Sequence, residues 1–194
     1  MTKFIKSALL GSAMLFAANL ASADIIVTDN FSSNKGWTLD TNWQIGSNIG
    51  APDGMHGFYY ATSQAYNLAN VSKVNVSFYR WLNTDYDPYM TSQVEAFDGS
   101  AWHVIFTNCC VGGAGQIFDS AWTQQSYDVS AYADHNAAFR LRFSYDVTDA
   151  GVYTTGGWNV DDLSISGQVP EPGSLMLMGL GLAGFVARRK AKAA

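Results

Sequence analysis

The sequence predicts an all-β protein, an antiparallel β-sandwich, and three observations point there. Residues 137–147 alternate without interruption, with Phe139, Leu141, Phe143, Tyr145 and Val147 on one side and Arg140, Arg142, Ser144 and Asp146 on the other. That is the period-two pattern of a strand with one buried face. Residues 71–81 repeat it: Val74, Val76 and Phe78 point inward, Asn75, Ser77 and Tyr79 outward. No run of ten residues in the body keeps a helical apolar period with caps, so strands meet no competitor.

In chain order, residues 1–23 carry Lys3 and Lys6, an apolar run over 8–18, and then Ala21-Ser22-Ala23. This is the build of a secretory signal peptide removed before Asp24. Its apolar core is too short for a comfortable membrane span. Short strands are expected at 25–28, 43–45 and 57–62, followed by the long strand at 71–81. Residues 94–97 and 101–107 flank Asp98-Gly99-Ser100, a hairpin signal because glycine supplies the positive φ of a tight turn. A strand at 123–128 precedes that at 137–147, and the last is 158–165. Glycine-rich 111–116 and 154–157 read as loops.

The last strand breaks its own pattern. Trp158 and Val160 share one parity, Leu163 and Ile165 the other. For all four to face the core the register must shift between them, and a bulge at Asp161-Asp162 does this.

The body, 24–168, has the size of one domain with a single core. Its fixed cations are Lys35, Lys73, Arg80, Arg140 and Arg142. Against fifteen carboxylates this gives 5 − 15 = −10, more acidic than the formal −5 of the whole chain. Such a surface repels nucleic acid and anionic lipid and attracts cations. The only cysteines, Cys109 and Cys110, are adjacent. In an exported protein they can form a vicinal disulfide, pair between molecules or stay as thiols.

Catalytic chemistry finds little support. The histidines at 56, 103 and 135 accompany no nucleophile elbow, zinc-binding helix or phosphate loop. Glu95, the body's one glutamate, is expected to face solvent. The expectation is a non-enzyme. Rings that could stack on sugars are Tyr79, Trp81 and Tyr86, with Tyr59 and Tyr89 as further candidates.

Residues 169–194 read VPEPGSLMLMGLGLAGFVARRKAKAA. Pro170 and Pro172 stiffen an extended connector. An apolar run over 175–187 follows, and Arg188, Arg189 and Lys190 form a basic stop. As a helix rising about 1.5 Å per residue, the run reaches only part of a bilayer of roughly 30 Å. The order of parts resembles the PEP-CTERM sorting signal of Gram-negative bacteria, with Pro170, Glu171 and Pro172 as the motif. The resemblance implies processing by an exosortase, a transient inner-membrane anchor through a short transmembrane helix with the body in the periplasm, and delivery to the cell surface or matrix. It also implies association with exopolysaccharide and biofilm.

The body resembles a second group, the MAM-like and immune-inhibitor-A-like jelly rolls. The resemblance rests on Asp29-Asn30-Phe31 with Gly36-Trp37, on 79–87 before 93–99, on 122–143, and on Gly157-Trp158-Asn159-Val160-Asp161-Asp162-Leu163. It implies a jelly-roll topology and brings the strands of Asp29 and Asp87 beside the last one. A bulge frees the Asp161 and Asp162 carboxylates to converge on a hard cation such as calcium, with Asp29 and Asp87 as helpers, or else to cap backbone amides or pair with Arg140 or Arg142. Ser32 stands where those relatives usually place a glutamate, which removes one first-strand ligand.

Overall fold

The computed structural model describes residues 23–46, 49–51, 57–86, 89–109, 115–147, 157–170, 179–181, 183–185 and 188. The signal peptide up to residue 22, His56, Asp87, Cys110, Glu171, Pro172, Arg189 and Lys190 lie outside the described residues.

Among the described residues of the body, eleven strands and one helical turn follow in order: β1 (Asp24–Asp29), β2 (Thr38–Leu39), β3 (Gln44–Ile45), β4 (Ile49–Ala51), β5 (Gly57–Thr62), β6 (Ser72–Asn83), β7 (Met90–Phe97), β8 (Trp102–Thr107), β9 (Thr123–Asp128), α1 (Ser130–Ala133), β10 (Arg140–Val147) and β11 (Gly157–Gln168). They form two antiparallel sheets. The six-stranded sheet runs β3-β4-β11-β6-β9, with β1 also on β11; the five-stranded sheet runs β2-β5-β10-β7-β8. The chain crosses from one sheet to the other repeatedly, and β5 to β7 changes sheet at each strand. This is the jelly-roll manner of closing a sandwich.

Alternation sets the core. On β6, Val74, Val76, Phe78 and Leu82 are buried while Lys73 and Tyr79 are exposed. Phe143 from β10 meets Phe78 at 5.2 Å and Trp158 at 5.5 Å, both edge-on, and stacks on Trp37 at 5.8 Å. These rings join the two sheets, and each buried side chain of this kind contributes about 1.5–3 kcal/mol.

Two elements differ from expectation in kind. Residues 130–133 make one helical turn, too short to show a period in sequence. On β10 the polar side is not simply solvent-facing: Ser144 is 1% exposed and Asp146 4% exposed.

The bulge is present where parity places it. The β6–β11 register shifts between Asp161 and Ser164, and Asp162 adopts φ 47°, a left-handed conformation that aspartate tolerates better than most residues. Asp161 Oδ1 accepts the Asp162 N–H at 2.8 Å. Trp158, Val160, Leu163 and Ile165 are all buried as a result.

Candidate functional site

Register defines what the outer face of the six-stranded sheet presents. Tyr79 lies opposite Asp161 on β11 and Gln124 on β9, and Trp81 opposite Asn159. Arg80 pairs with Thr123, so the next step brings Trp122 beside Trp81. The two indoles meet edge to face, centroids 6.0 Å apart at 83°. Tyr79 and Trp122 are each 38% exposed. Together with Asp161 and Asp162 they line an open cavity of about 250 Å³.

The two carboxylates differ in their company from the three acids of the body that face a lysine or arginine. Arg80 is held by Asp119 through Nε at 2.9 Å and Nη2 at 3.0 Å. Arg142 is held by Glu95 at 2.7 and 2.8 Å. Lys35 lies 3.5 Å from Asp29. Among the described residues no cation pairs with Asp161 or Asp162. Burial, first, and then the charges of Asp162 and Asp29 push the Asp161 carboxyl up from its ordinary value, against the Asp162 N–H, which lowers it.

Of the ring candidates, Tyr79 and Trp81 come together on this face. Tyr86, 53% exposed, sits past the end of β6 in the following loop. Trp122 was not among the sequence candidates. It precedes β9 in coil, and its parity with Gln124, Ser126 and Asp128 is the signal that marks it as outward.

Of the acids expected to hold calcium, Asp29 is engaged within the chain: its Oδ1 accepts the Phe31 N–H and its Oδ2 the Trp37 indole N–H, each at 2.9 Å. The Lys35 ammonium reaches the Thr28 carbonyl at 3.4 Å. Asp29, Asp162 and Lys35 border one cavity of about 420 Å³. Among the described residues no three acidic, histidine or cysteine side chains converge as a metal site.

The outer face of the five-stranded sheet carries a second arrangement that sequence reasoning missed. Glu95, expected in solvent, is 6% exposed and locked to Arg142. The Arg142 guanidinium lies 4.5 Å from the Tyr60 ring and 4.3 Å from that of Trp102. Partners 47 residues apart leave no local trace. His103 binds Asp98 at 2.6 Å and stacks on Tyr132 at 4.4 Å. Cys109 is disulfide-bonded.

In the tail, residues 179–181, 183–185 and 188 are helical and exposed. No helix among the described residues is long and apolar enough to cross a membrane.

Residues 168–190 match the PEP-CTERM protein-sorting motif. Among curated proteins no relative matches the chain. Several solved structures are similar in shape. The CBM22-1 xylan-binding domain of Xyn10C from Paenibacillus barcinonensis is 17% identical, covering 78% of this chain and 98% of that one, at TM-score 0.46. A cleaved adhesin domain of Lys-gingipain from Porphyromonas gingivalis is 11% identical over 74% and 97%, at TM-score 0.45. The xylan-binding module CBM15 is 9% identical over 77% and 99%, at TM-score 0.43. The chain is thus an antiparallel β-sandwich followed by a PEP-CTERM sorting motif, which makes it an exported substrate of exosortase processing at the membrane.

Proposed function

We propose that this protein is a non-catalytic glycan-binding module, displayed at the surface or in the matrix of a Gram-negative cell and associated with its exopolysaccharide and biofilm. The observation that carries the reading is the open row of Tyr79, Trp81 and Trp122 on one sheet face, with a cavity at its end. Flat rings offer the apolar faces of sugars a stacking surface at low conformational cost, and carboxylates beside them accept hydroxyl hydrogen bonds.

The non-catalytic part is supported by how the candidate acid and base groups are engaged. Glu95 is occupied by a two-bond contact to Arg142 and is 6% exposed, which takes it out of reach of a substrate. Calcium is given no role in this reading.

Retention of the purified body on immobilised polysaccharide, drawn from the producing cell's own matrix, tests the function. Trp122→Ala should weaken it roughly tenfold, the effect of losing one central aromatic anchor, with the melting temperature unchanged. No retention of the native body would overturn the reading. Sorting is tested separately by mass spectrometry of the exported protein, which should lack both 1–23 and the tail; an intact tail on the surface form would contradict exosortase release.

A further inference from the structure

The cavity at the end of the aromatic row has a charge character that a neutral sugar leaves unanswered. Its walls are the Tyr79 and Trp122 rings and its other lining groups are Asp161 and Asp162. Ring faces carry negative potential and attract cations, most strongly where the cation is partly desolvated. The bulge adds two carboxylates on consecutive residues, which strand alternation alone would point to opposite faces.

Three other acids of the body have a cation of the chain within ion-pair distance: Asp119 has Arg80, Glu95 has Arg142 and Asp29 has Lys35. Among the described residues no cation forms an ion pair with Asp161 or Asp162, which stand beside the exposed Tyr79 and Trp122 rings. Burial first, and the neighbouring acid charges after it, raise the Asp161 carboxyl, and an incoming positive charge would offset both. The body's −10 deepens the preference at long range.

Resting on the glycan reading, we propose that the cavity formed by Tyr79, Trp122, Asp161 and Asp162 binds a protonated amino sugar, the hexosamine unit of a polysaccharide whose amines are not acetylated. The sugar's C–H face stacks on the rings, and its ammonium donates to the two carboxylates. A volume of about 250 Å³ suits one sugar ring. Acetylation removes the charge and leaves both carboxylates without a cation.

Calorimetric titration of the body, with the chain otherwise intact, uses two probes at near-neutral pH: a glucosamine oligomer and its N-acetylated counterpart of equal length. The free-amine oligomer should bind roughly tenfold or more tightly than the acetylated one, the loss expected for one charge-assisted hydrogen bond. Asp161→Asn and Asp162→Asn should erase that difference, bringing the free-amine oligomer's affinity down to that of the acetylated one. Both substitutions keep an acceptor oxygen, and asparagine tolerates the φ of residue 162, so folding survives and an unchanged melting temperature verifies it.

Equal affinity for the two oligomers overturns the amine proposal and leaves glycan binding standing. Failure of both oligomers, with retention on neutral glycan, likewise removes only the amine. Failure of every glycan removes both readings. Tighter binding of a lysine-rich peptide than of the glucosamine oligomer would reassign the cavity to a protein partner and overturn the proposal.

Discussion

The two outer faces of the sandwich start from the same strand alternation and end in opposite states. On the five-stranded sheet, Arg142 is gripped by Glu95 and flanked by Tyr60 and Trp102, and Ser144 and Asp146 beside it are buried. On the six-stranded sheet, Tyr79 and Trp122 are open and Asp161 and Asp162 face no cation among the described residues. On one face Arg142 and Glu95 are bound to each other, while on the other Asp161 and Asp162 stand without an ion pair among the described residues. Polarity in sequence therefore marks the outer side of a strand, but pairing across strands decides whether that side can meet a ligand.

The largest way to break this contrast is to open the closed face. Arg142→Ala leaves Glu95 buried without its partner and should cost roughly 3 kcal/mol in urea unfolding; sugar affinity should persist in the folded fraction. Next is the open face: Trp122→Ala should lower glycan affinity roughly tenfold while changing stability by less than about 0.5 kcal/mol. Should Trp122→Ala unfold the protein and Arg142→Ala leave it stable, the assignment of the two faces would be reversed.

The smallest effect sharpens the comparison through pH. Burial raises the Asp146 carboxyl above its ordinary value of 3.8. A raised folded-state value means the stabilising contribution is complete below the unfolded value and is lost as pH rises through the folded one. Asp146→Asn removes that loss. Its melting temperature should exceed that of the native protein at neutral pH, and the gain should vanish in acid below the ordinary carboxylate range.

Much of the framework was legible because it is written locally. The bulge could be read from four residues, since Trp158 and Val160 cannot face the core together with Leu163 and Ile165 in one register. The long strands β6 and β10 carried their alternation in full view, and the Asp98–Ser100 turn announced its hairpin. The two-residue strand β2 is shorter than any periodic signal, whereas β3 falls within the strand expected at 43–45. The four residues of α1 are likewise too few.

The site was only half legible for a different reason. Tyr79 and Trp81 share a strand, so their common face follows from spacing. Trp122 reaches them only through the register of β9 on β6, which no local pattern encodes. Glu95 illustrates the same limit in reverse, because its burial depends on Arg142 from another strand. Asp29 accepts hydrogen bonds from Phe31 and Trp37, tying down the chain that leaves β1. Its partners come from within eight residues, yet both contacts depend on how that chain folds back.

The chain's six tryptophans, Trp37, Trp43, Trp81, Trp102, Trp122 and Trp158, make one measurement especially direct. Indole N–H resonances of the isotopically labelled body, followed by NMR as glycan oligomer is added, report separately on each face. The account predicts that Trp81 and Trp122 shift with a common binding curve while Trp102 stays still. Movement of Trp102 with Trp81 and Trp122 unmoved would place the ligand on the opposite face and contradict it.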